Sequence, residues 1–157
     1  RHGHGELFQV SSSRNYKGQW IKNTLQGEME IIDQNWTFHG SMQVGIGTGS
    51  GTFNYKDGTK YSGQVVNFKR EGEGTLEFKS GEIISGIWSG NINVSSASIT
   101  DENGFHWIGE LQNMQPIGRM KTKRPDGIEY ESFWENGAML QSLSVSVKSG
   151  KASRLVN

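Results

Sequence analysis

A dipeptide ending in glycine recurs every 23 residues through most of this chain. The pairs are Asp57-Gly58, Ser80-Gly81, Asn103-Gly104, Asp126-Gly127 and Ser149-Gly150. Three residues after a turn glycine comes a large side chain, at Tyr61, Ile84, Trp107 and Tyr130, and Tyr16 and Phe38 extend this series toward the N-terminus. Self-similarity with a period between about 20 and 50 residues is typical of repeat proteins. The spacing therefore predicts an array of small, similar units.

Glycine also recurs inside each repeat. The chain has 22 glycines in 157 residues, about twice the usual share of roughly 7%. With the large residue taken as position zero, glycine occupies position +2 in five of six repeats and returns at +11 and +13. This register accounts for 20 of the 22 glycines; Gly47 and Gly90 lie outside it. An excess of glycine with only two prolines indicates backbone positions that need unusual φ angles or close approach.

The residues between the glycines alternate with the period of β-strands. Positions 0, +2 and +4 read large, glycine, large, while +15 is mostly apolar and +14 polar. Each repeat is predicted to be a hairpin whose strands are joined near +6 to +10. The predicted fold is all-β: an elongated, single-layer, twisted antiparallel sheet of tandem hairpins, about 60 Å long at about 4.8 Å per strand. Glycine at +2 leaves room for a ring over bare backbone, and each aromatic ring is expected to stack on its counterpart in the next hairpin.

The segments Tyr16-Lys17-Gly18-Gln19-Trp20 and Tyr61-Ser62-Gly63-Gln64-Val65, the latter followed by Gly72-Glu73-Gly74, resemble MORN repeats (membrane occupation and recognition nexus). The resemblance covers residues 1–147, with a partial repeat at 1–15 and repeats starting near 16, 38, 61, 84, 107 and 130. Residues 148–157 are predicted to be a C-terminal cap or tail. The resemblance implies a groove lined by the repeated aromatic residues. Later repeats lose the GxG pair, and because the chain begins inside a repeat, we expect it to be part of a longer protein.

Several functional classes find no support in the sequence. The balance of 16 basic and 16 acidic residues gives no indication of nucleic-acid binding. The chain has no cysteine, and its histidines fall in different repeats, so no metal site or other cofactor is predicted. The glycine run 45–51 lacks a phosphate-binding motif, and no catalytic triad stands apart from the repeats. The expectation is a non-catalytic, cytoplasmic protein, with association with the cytoskeleton or a membrane left open.

The repeated aromatic residues are the predicted working surface. A single-layer sheet has no second layer, so part of this stripe should stay accessible, and exposed apolar grooves bind partners. A protein scaffold is predicted, with an amphipathic helix, an extended peptide or a second copy of the chain covering the stripe. The stripe consists of Tyr16, Trp20, Phe38, Tyr61, Trp88, Trp107, Tyr130 and Trp134.

Two alternative functions remain open at this point. Arg119, Lys121 and Lys123 alternate along one predicted strand, with Arg124 following, and such a strip could bind anionic phospholipid such as phosphoinositides. The opposing interpretation is a solvated sheet face that prevents aggregation. The array could also be the regulatory module of an enzyme located elsewhere in a longer chain, because MORN arrays are similar to those attached to lipid kinases, methyltransferases and exchange factors.

Overall fold

The structure, a computed structural model, describes residues 1–43, 47–148 and 151–155, with the backbone alone for 144–148 and 151–155. Every regular element in these ranges is a β-strand. The chain divides into two compact units, Arg1–Lys79 (unit 1) and Ser80–Asn157 (unit 2). In each unit, consecutive strands pair antiparallel in an open sheet, which confirms the predicted all-β fold of tandem hairpins.

In the described residues of unit 1, seven strands follow one another in chain order. They are β1 (Gly3–Gln9), β2 (Arg14–Ile21), β3 (Thr24–Ile32), β4 (Trp36–Gln43), β5 (Thr48–Tyr55), β6 (Lys60–Val66) and β7 (Lys69–Glu77). Each strand pairs with the next one along the chain.

Unit 2 repeats this arrangement. Its strands are β8 (Ile83–Ser89), β9 (Asn93–Thr100), β10 (His106–Gln112), β11 (Gln115–Lys123), β12 (Glu129–Glu135), β13 (Ala138–Lys148) and β14 (Lys151–Leu155). The segment predicted to be a cap or tail thus contains β14, which pairs with β13. The predicted turn at Ser149-Gly150 lies outside the described residues, as do Gly45 and Ile46 of the glycine run.

The hairpin turns lie at +6 and +7 in most repeats, within the predicted interval. Four turns of two residues have positive φ at both of these residues, as type I′ turns require. These four are Lys22-Asn23, Asn67-Phe68, Asn113-Met114 and Asn136-Gly137. The recurring pairs that end in glycine form wider turns between hairpins: for example, β5 ends at Tyr55 and β6 begins at Lys60. Gly58 in this turn has a φ of 91° and donates its N–H to the carbonyl of Tyr55 at 3.0 Å.

Most hairpins contain a β-bulge near positions +2 and +3. In the β6–β7 hairpin the register shifts between Gly63 and Val65, and Gly72 on the opposite strand has a left-handed φ of 69°. Equivalent shifts occur in the β2–β3, β8–β9 and β10–β11 hairpins. A bulge bends its strand and increases the local twist. The sheet can therefore curl toward one face although it is a single layer.

The two faces of the unit 1 sheet have opposite character. The inner face carries the core, in which Ile31, Phe38, Phe53, Tyr61 and Leu76 form a row of directly paired, buried residues. This register places a +15 residue between successive position-zero aromatics. The prediction that each ring stacks on its counterpart in the next hairpin is therefore wrong; the described neighbour of the Phe38 ring is Phe53, at 4.9 Å between centroids.

The outer face of unit 1 is polar, as predicted. A cross-strand row of alternating charge runs from Glu6 through Lys17 and Glu30 to His39. Lys17 Nζ lies 3.6 Å from Glu6 and 3.4 Å from Glu30, and these two carboxylates raise the pKa of the Lys17 amine. Oppositely charged cross-strand neighbours stabilise a sheet modestly and keep this face wet.

Three side chains from distant positions cover the inner face of unit 1. Trp36 begins β4 and Phe68 forms the tip of the β6–β7 hairpin, yet their rings stack at 6.0 Å. The Arg14 guanidinium lies over both rings, at 5.2 and 5.5 Å from the centroids, and Arg14 Nε donates to Asp33 at 2.7 Å. The tip of the β6–β7 hairpin can reach the start of β4, which lies at the other end of the strands, only if the sheet curls. This closure is how a single layer buries Phe38 and Tyr61 completely.

Candidate functional site

The structure divides the predicted aromatic stripe into a buried and an accessible part. Five members are buried and do not belong to the part that was expected to stay accessible: Tyr16, Trp20, Phe38, Tyr61 and Trp88. The three members nearest the C-terminus, Trp107, Tyr130 and Trp134, are half-buried. All three belong to the inner face of unit 2. Any binding role of the stripe is thereby confined to these three side chains and their neighbours.

Glycine explains the burial of the rings in unit 1. Gly40, Gly51, Gly63 and Gly74 are directly paired across β4 to β7, and the rings of Phe38 and Tyr61 lie on this bare strip of backbone. A Cβ at Gly51 would lie 2.6 Å from Phe38 Cζ, and one at Gly63 would lie 2.6 Å from Tyr61 Oη. The predicted use of glycine as a seat for rings is confirmed here.

The same device is missing around Trp107. Position +13 of this repeat is Met120 instead of glycine, and its side chain lies against Gly109. Met120 is buried and fills the space that a ring occupies in unit 1. Trp107 stacks on Phe105, at 5.8 Å between ring centroids, and remains half-buried.

Trp107 and Trp134 line a depression of about 360 Å³ on the inner face of unit 2, which we call the unit 2 groove. Trp134 is oriented by its indole N–H, which donates to Ser132 Oγ at 2.8 Å. The lining is mainly apolar, with two carboxylates: Ile84, Ile99, Trp107, Leu111, Met114, Pro116, Met120, Trp134, Glu82 and Asp101. Mostly apolar concave surfaces with a few polar groups are the usual form of binding sites.

The repeat register explains why this groove is open. Trp36 and Phe68, which cover the inner face of unit 1, stand at −2 and +7 of consecutive repeats. Two repeats further along the chain, the same positions are Glu82 and Met114, and both line the unit 2 groove. A carboxylate and a flexible thioether replace two stacked rings. The groove is thus the place where the closing side chains of unit 1 have no aromatic equivalent.

The groove has an acidic part. Asp101 is held by its turn, because its Oδ1 accepts the backbone N–H groups of Asn103 and Phe105, both at 2.9 Å. Neither Glu82 nor Asp101 forms an ion pair with any residue in the described part of the chain. An uncompensated carboxylate beside apolar surface attracts a cation. The arrangement favours an apolar ligand that carries a positive charge.

The predicted basic strip is largely neutralised. Arg119 lies 2.5 Å from Glu131, Lys123 lies 3.7 Å from Glu129, and Arg124 lies 2.9 Å from Asp126. Lys121, on the outer face between these pairs, is the member of the strip without an ion pair among the described residues. Four cations and three carboxylates leave a local charge of about +1, which weakens the case for binding anionic lipid.

Other site types find no candidate in the described part of the chain. No group of three or more His, Asp or Glu side chains there could hold a metal ion. In unit 1, His39 lies 3.6 Å from Glu30. In unit 2, His106 Nδ1 lies 3.1 Å from Thr100 Oγ1. Among the same residues, no helix has the length and hydropathy to cross a bilayer.

Two comparisons with known proteins found no match. No protein-family model matches the chain, and no curated protein is similar to it. The site must therefore be interpreted from its own geometry.

Sequence reasoning identified Trp107 and Trp134 but missed the rest of the groove, including Glu82, Met114 and Met120, while the predicted Tyr130 does not line it. The signal was available for Met120, since the loss of the second glycine of the GxG pair places a side chain under the ring. For Glu82 and Met114 the sequence alone gave no signal. Only the closure in unit 1 shows that positions −2 and +7 face each other.

Proposed function

We propose that the chain is a MORN-type repeat protein that acts as a non-catalytic binding scaffold, and that its unit 2 groove binds a segment of a protein partner. The observation that carries the proposal is the pair of half-buried tryptophans, Trp107 and Trp134, in an apolar groove. Tryptophan at the centre of a desolvated patch is the residue type that most often dominates binding energy. The tandem hairpins and their glycine register support the resemblance to MORN arrays.

The chemistry of the groove defines the partner. Its apolar lining calls for aliphatic or aromatic side chains, and Glu82 and Asp101 call for a lysine or arginine near one end. An amphipathic helix or an extended peptide presents such side chains along one face. The proposed ligand is a short segment with two or more apolar anchors and a flanking basic residue.

A peptide-display library panned on the immobilised chain tests this proposal. Selected peptides should share apolar anchors and a basic residue, and fluorescence anisotropy should show about 30-fold weaker binding to Trp107→Ala and Trp134→Ala, as expected for hot-spot residues. Glu82→Gln should weaken binding of the basic peptides by about tenfold while leaving the groove apolar.

The matched control is Phe8→Ala, because Phe8 is an aromatic residue of unit 1 that is 61% exposed and lies outside the groove. Circular dichroism establishes that each variant is folded. A selection that yields no binder, or binders with equal affinity for the wild type and both tryptophan variants, would contradict the proposal. Trp88→Ala is unsuitable as a binding probe because Trp88 is buried, so its loss would change the fold first.

A further inference from the structure

The outer face of unit 2 differs from that of unit 1. Where unit 1 shows a row of alternating charges, unit 2 exposes isoleucines on β8 and β10: Ile87 is 49% exposed and Ile108 is 48% exposed. Both alternate along their strands with residues of the buried inner face, such as Trp88 and Trp107. An exposed apolar patch on a sheet face is a candidate interface.

Beside Ile108 the outer face contains a socket. Its walls include Ile87, Ser95, Glu110 and Ile117, and its volume is about 420 Å³. The socket lies where three neighbouring strand pairs change register, between Ser85 and Ile87, between Gly109 and Leu111, and between Ile108 and Glu110. Bulges bend the strands away from the mean plane. The socket is therefore part of the backbone geometry.

We call the exposed Ile108 side chain the knob. The knob and the socket lie side by side on the outer face. Ile108, which is 48% exposed, stands on β10 two residues before Glu110, which lines the socket. A two-fold symmetric interface needs a surface that is complementary to itself, so that each copy contributes both parts. In such a pair, Ile108 of each copy enters the socket of the other and contacts its isoleucines.

The charges on this face are also self-complementary, with a cation beside Ile108 and a carboxylate at the socket. Lys121 is the direct strand partner of Ile108, so it accompanies the knob, while Glu110 stands at the socket. In the described part of the chain neither forms an ion pair. Their neighbours Arg119 and Glu131 are already paired with each other. When knob meets socket, each Lys121 comes to the Glu110 of the other copy, which gives two equivalent ion pairs.

We propose that unit 2 self-associates through its outer face, with Ile108 of one copy in the Ile87–Ile117 socket of a second copy and reciprocal Lys121–Glu110 ion pairs. The face of β8–β12 spans five strands of about 4.8 Å and about seven residues of about 3.3 Å, so two copies would cover about 1,100 Å² in total. This is the lower end of specific interfaces. The expected dissociation constant is about 10–100 µM, that of a reversible dimer.

Sedimentation velocity between about 5 and 500 µM tests the proposal. The wild type should shift from monomer to dimer over this range, and Ile108→Asp should remain monomeric. The matched control is Ile128→Asp, because Ile128 is an isoleucine of the same unit, 39% exposed, in the turn before β12. It should dimerise like the wild type.

A charge exchange provides the decisive measurement. Glu110→Lys and Lys121→Glu alone should each weaken the dimer by about tenfold or more, because each places like charges opposite one another twice. The double variant Glu110→Lys/Lys121→Glu should restore it. Both positions are exposed, so folding should be retained, and circular dichroism checks this.

A wild type that is monomeric at 500 µM would overturn the proposal, and so would a double variant that dimerises no better than the single ones. The groove lies on the inner face and the proposed dimer interface on the outer face, so the two proposals can fail independently. Trp107→Ala should leave dimerisation unchanged, and Ile108→Asp should leave peptide binding unchanged.

Discussion

Replacing Gly74 by alanine should destabilise unit 1 through the ring of Tyr61. Gly74 is paired with Gly63 across the β6–β7 ladder, and the fully buried Tyr61 ring lies on both. A Cβ at Gly74 would lie 2.5 Å from Tyr61 Cζ and 2.6 Å from Tyr61 Cε2. Neither Gly63 nor Gly74 has a positive φ. The penalty is therefore steric and contains no term for backbone strain.

The magnitude follows from two costs. Overpacking of a filled core costs about 1–3 kcal/mol. If the ring tilts away to relieve the clash, the Tyr61 hydroxyl loses the bond it donates to the Gln64 carbonyl at 2.8 Å, which costs about another 1 kcal/mol. Gly74→Ala should therefore lower the free energy of unfolding by about 2–4 kcal/mol.

Urea unfolding followed by circular dichroism measures this loss. The matched control is Gly5→Ala, because Gly5 is also a strand glycine without positive φ, but its added Cβ would meet Trp20 Cδ1 at an ordinary 3.6 Å. This variant should stay within about 0.5 kcal/mol of the wild type. Tyr61→Leu should partly rescue Gly74→Ala, with a coupling of about 1–3 kcal/mol. The reasoning is refuted if Gly74→Ala and Gly5→Ala unfold at the same urea concentration.

Two further predictions concern charge. Burial by itself raises the pKa of Asp33, but the bonds it accepts from Arg14 and from the backbone N–H groups of Asn35 and Gln34 outweigh burial and lower it below its usual value. The stability contributed by the Arg14–Asp33 pair should thus be present above pH ~4 and be lost as the pH falls further. Asp33→Asn should abolish that part of the acid sensitivity in thermal unfolding scans. If the loss of stability at acid pH is the same in this variant as in the wild type, the pair contributes nothing. Because the basic strip retains about one net charge, co-sedimentation with phosphoinositide vesicles at physiological salt should exceed that with neutral vesicles by no more than about fivefold, and a much larger ratio would restore the lipid-binding alternative.

The repeat architecture could be predicted from the sequence because its determinants are local and recur. Glycine at +2, alternation around it and the 23-residue interval each limit the backbone of a single hairpin, and in the described part of each unit every strand pairs with its neighbours in the chain. The positions of the turns were also predicted, but their lengths and conformations were not. The pairs that end in glycine form wider turns, while a two-residue turn such as Asn67-Phe68 carries no glycine. Asparagine tolerates left-handed φ, and the turn length forces it on Phe68.

The accessibility of the aromatic stripe could not be read from spacing, because it depends on contacts between repeats. Tyr61 and Trp107 stand at the same repeat position, yet Tyr61 is buried and Trp107 is half-buried. One difference lies on the neighbouring strand, where Gly74 stands beside Tyr61 and Met120 beside Trp107; Tyr16 is nevertheless buried with Met29 at that position, so the closing contacts of unit 1 also contribute. The closing contact of Arg14 with Trp36 and Phe68 joins side chains up to 54 residues apart. No local sequence pattern predicts this contact.

The comparison of the two units yields a final prediction, that the groove can be closed by giving unit 2 the closing side chains of unit 1. Trp36 and Phe68 are 32 residues apart and stack at 6.0 Å between ring centroids; Glu82 and Met114 are also 32 residues apart and both line the groove. In Glu82→Trp/Met114→Phe the new rings should stack in the groove and bury apolar surface, so that unfolding requires about 1–2 kcal/mol more. Peptides selected on the wild type should bind about 30-fold more weakly to this variant, whereas Glu82→Gln alone, which removes only the charge, should weaken their binding about tenfold. Thermal unfolding and anisotropy together decide the matter. A double variant that is no more stable and still binds would show that positions −2 and +7 do not control the opening of this face.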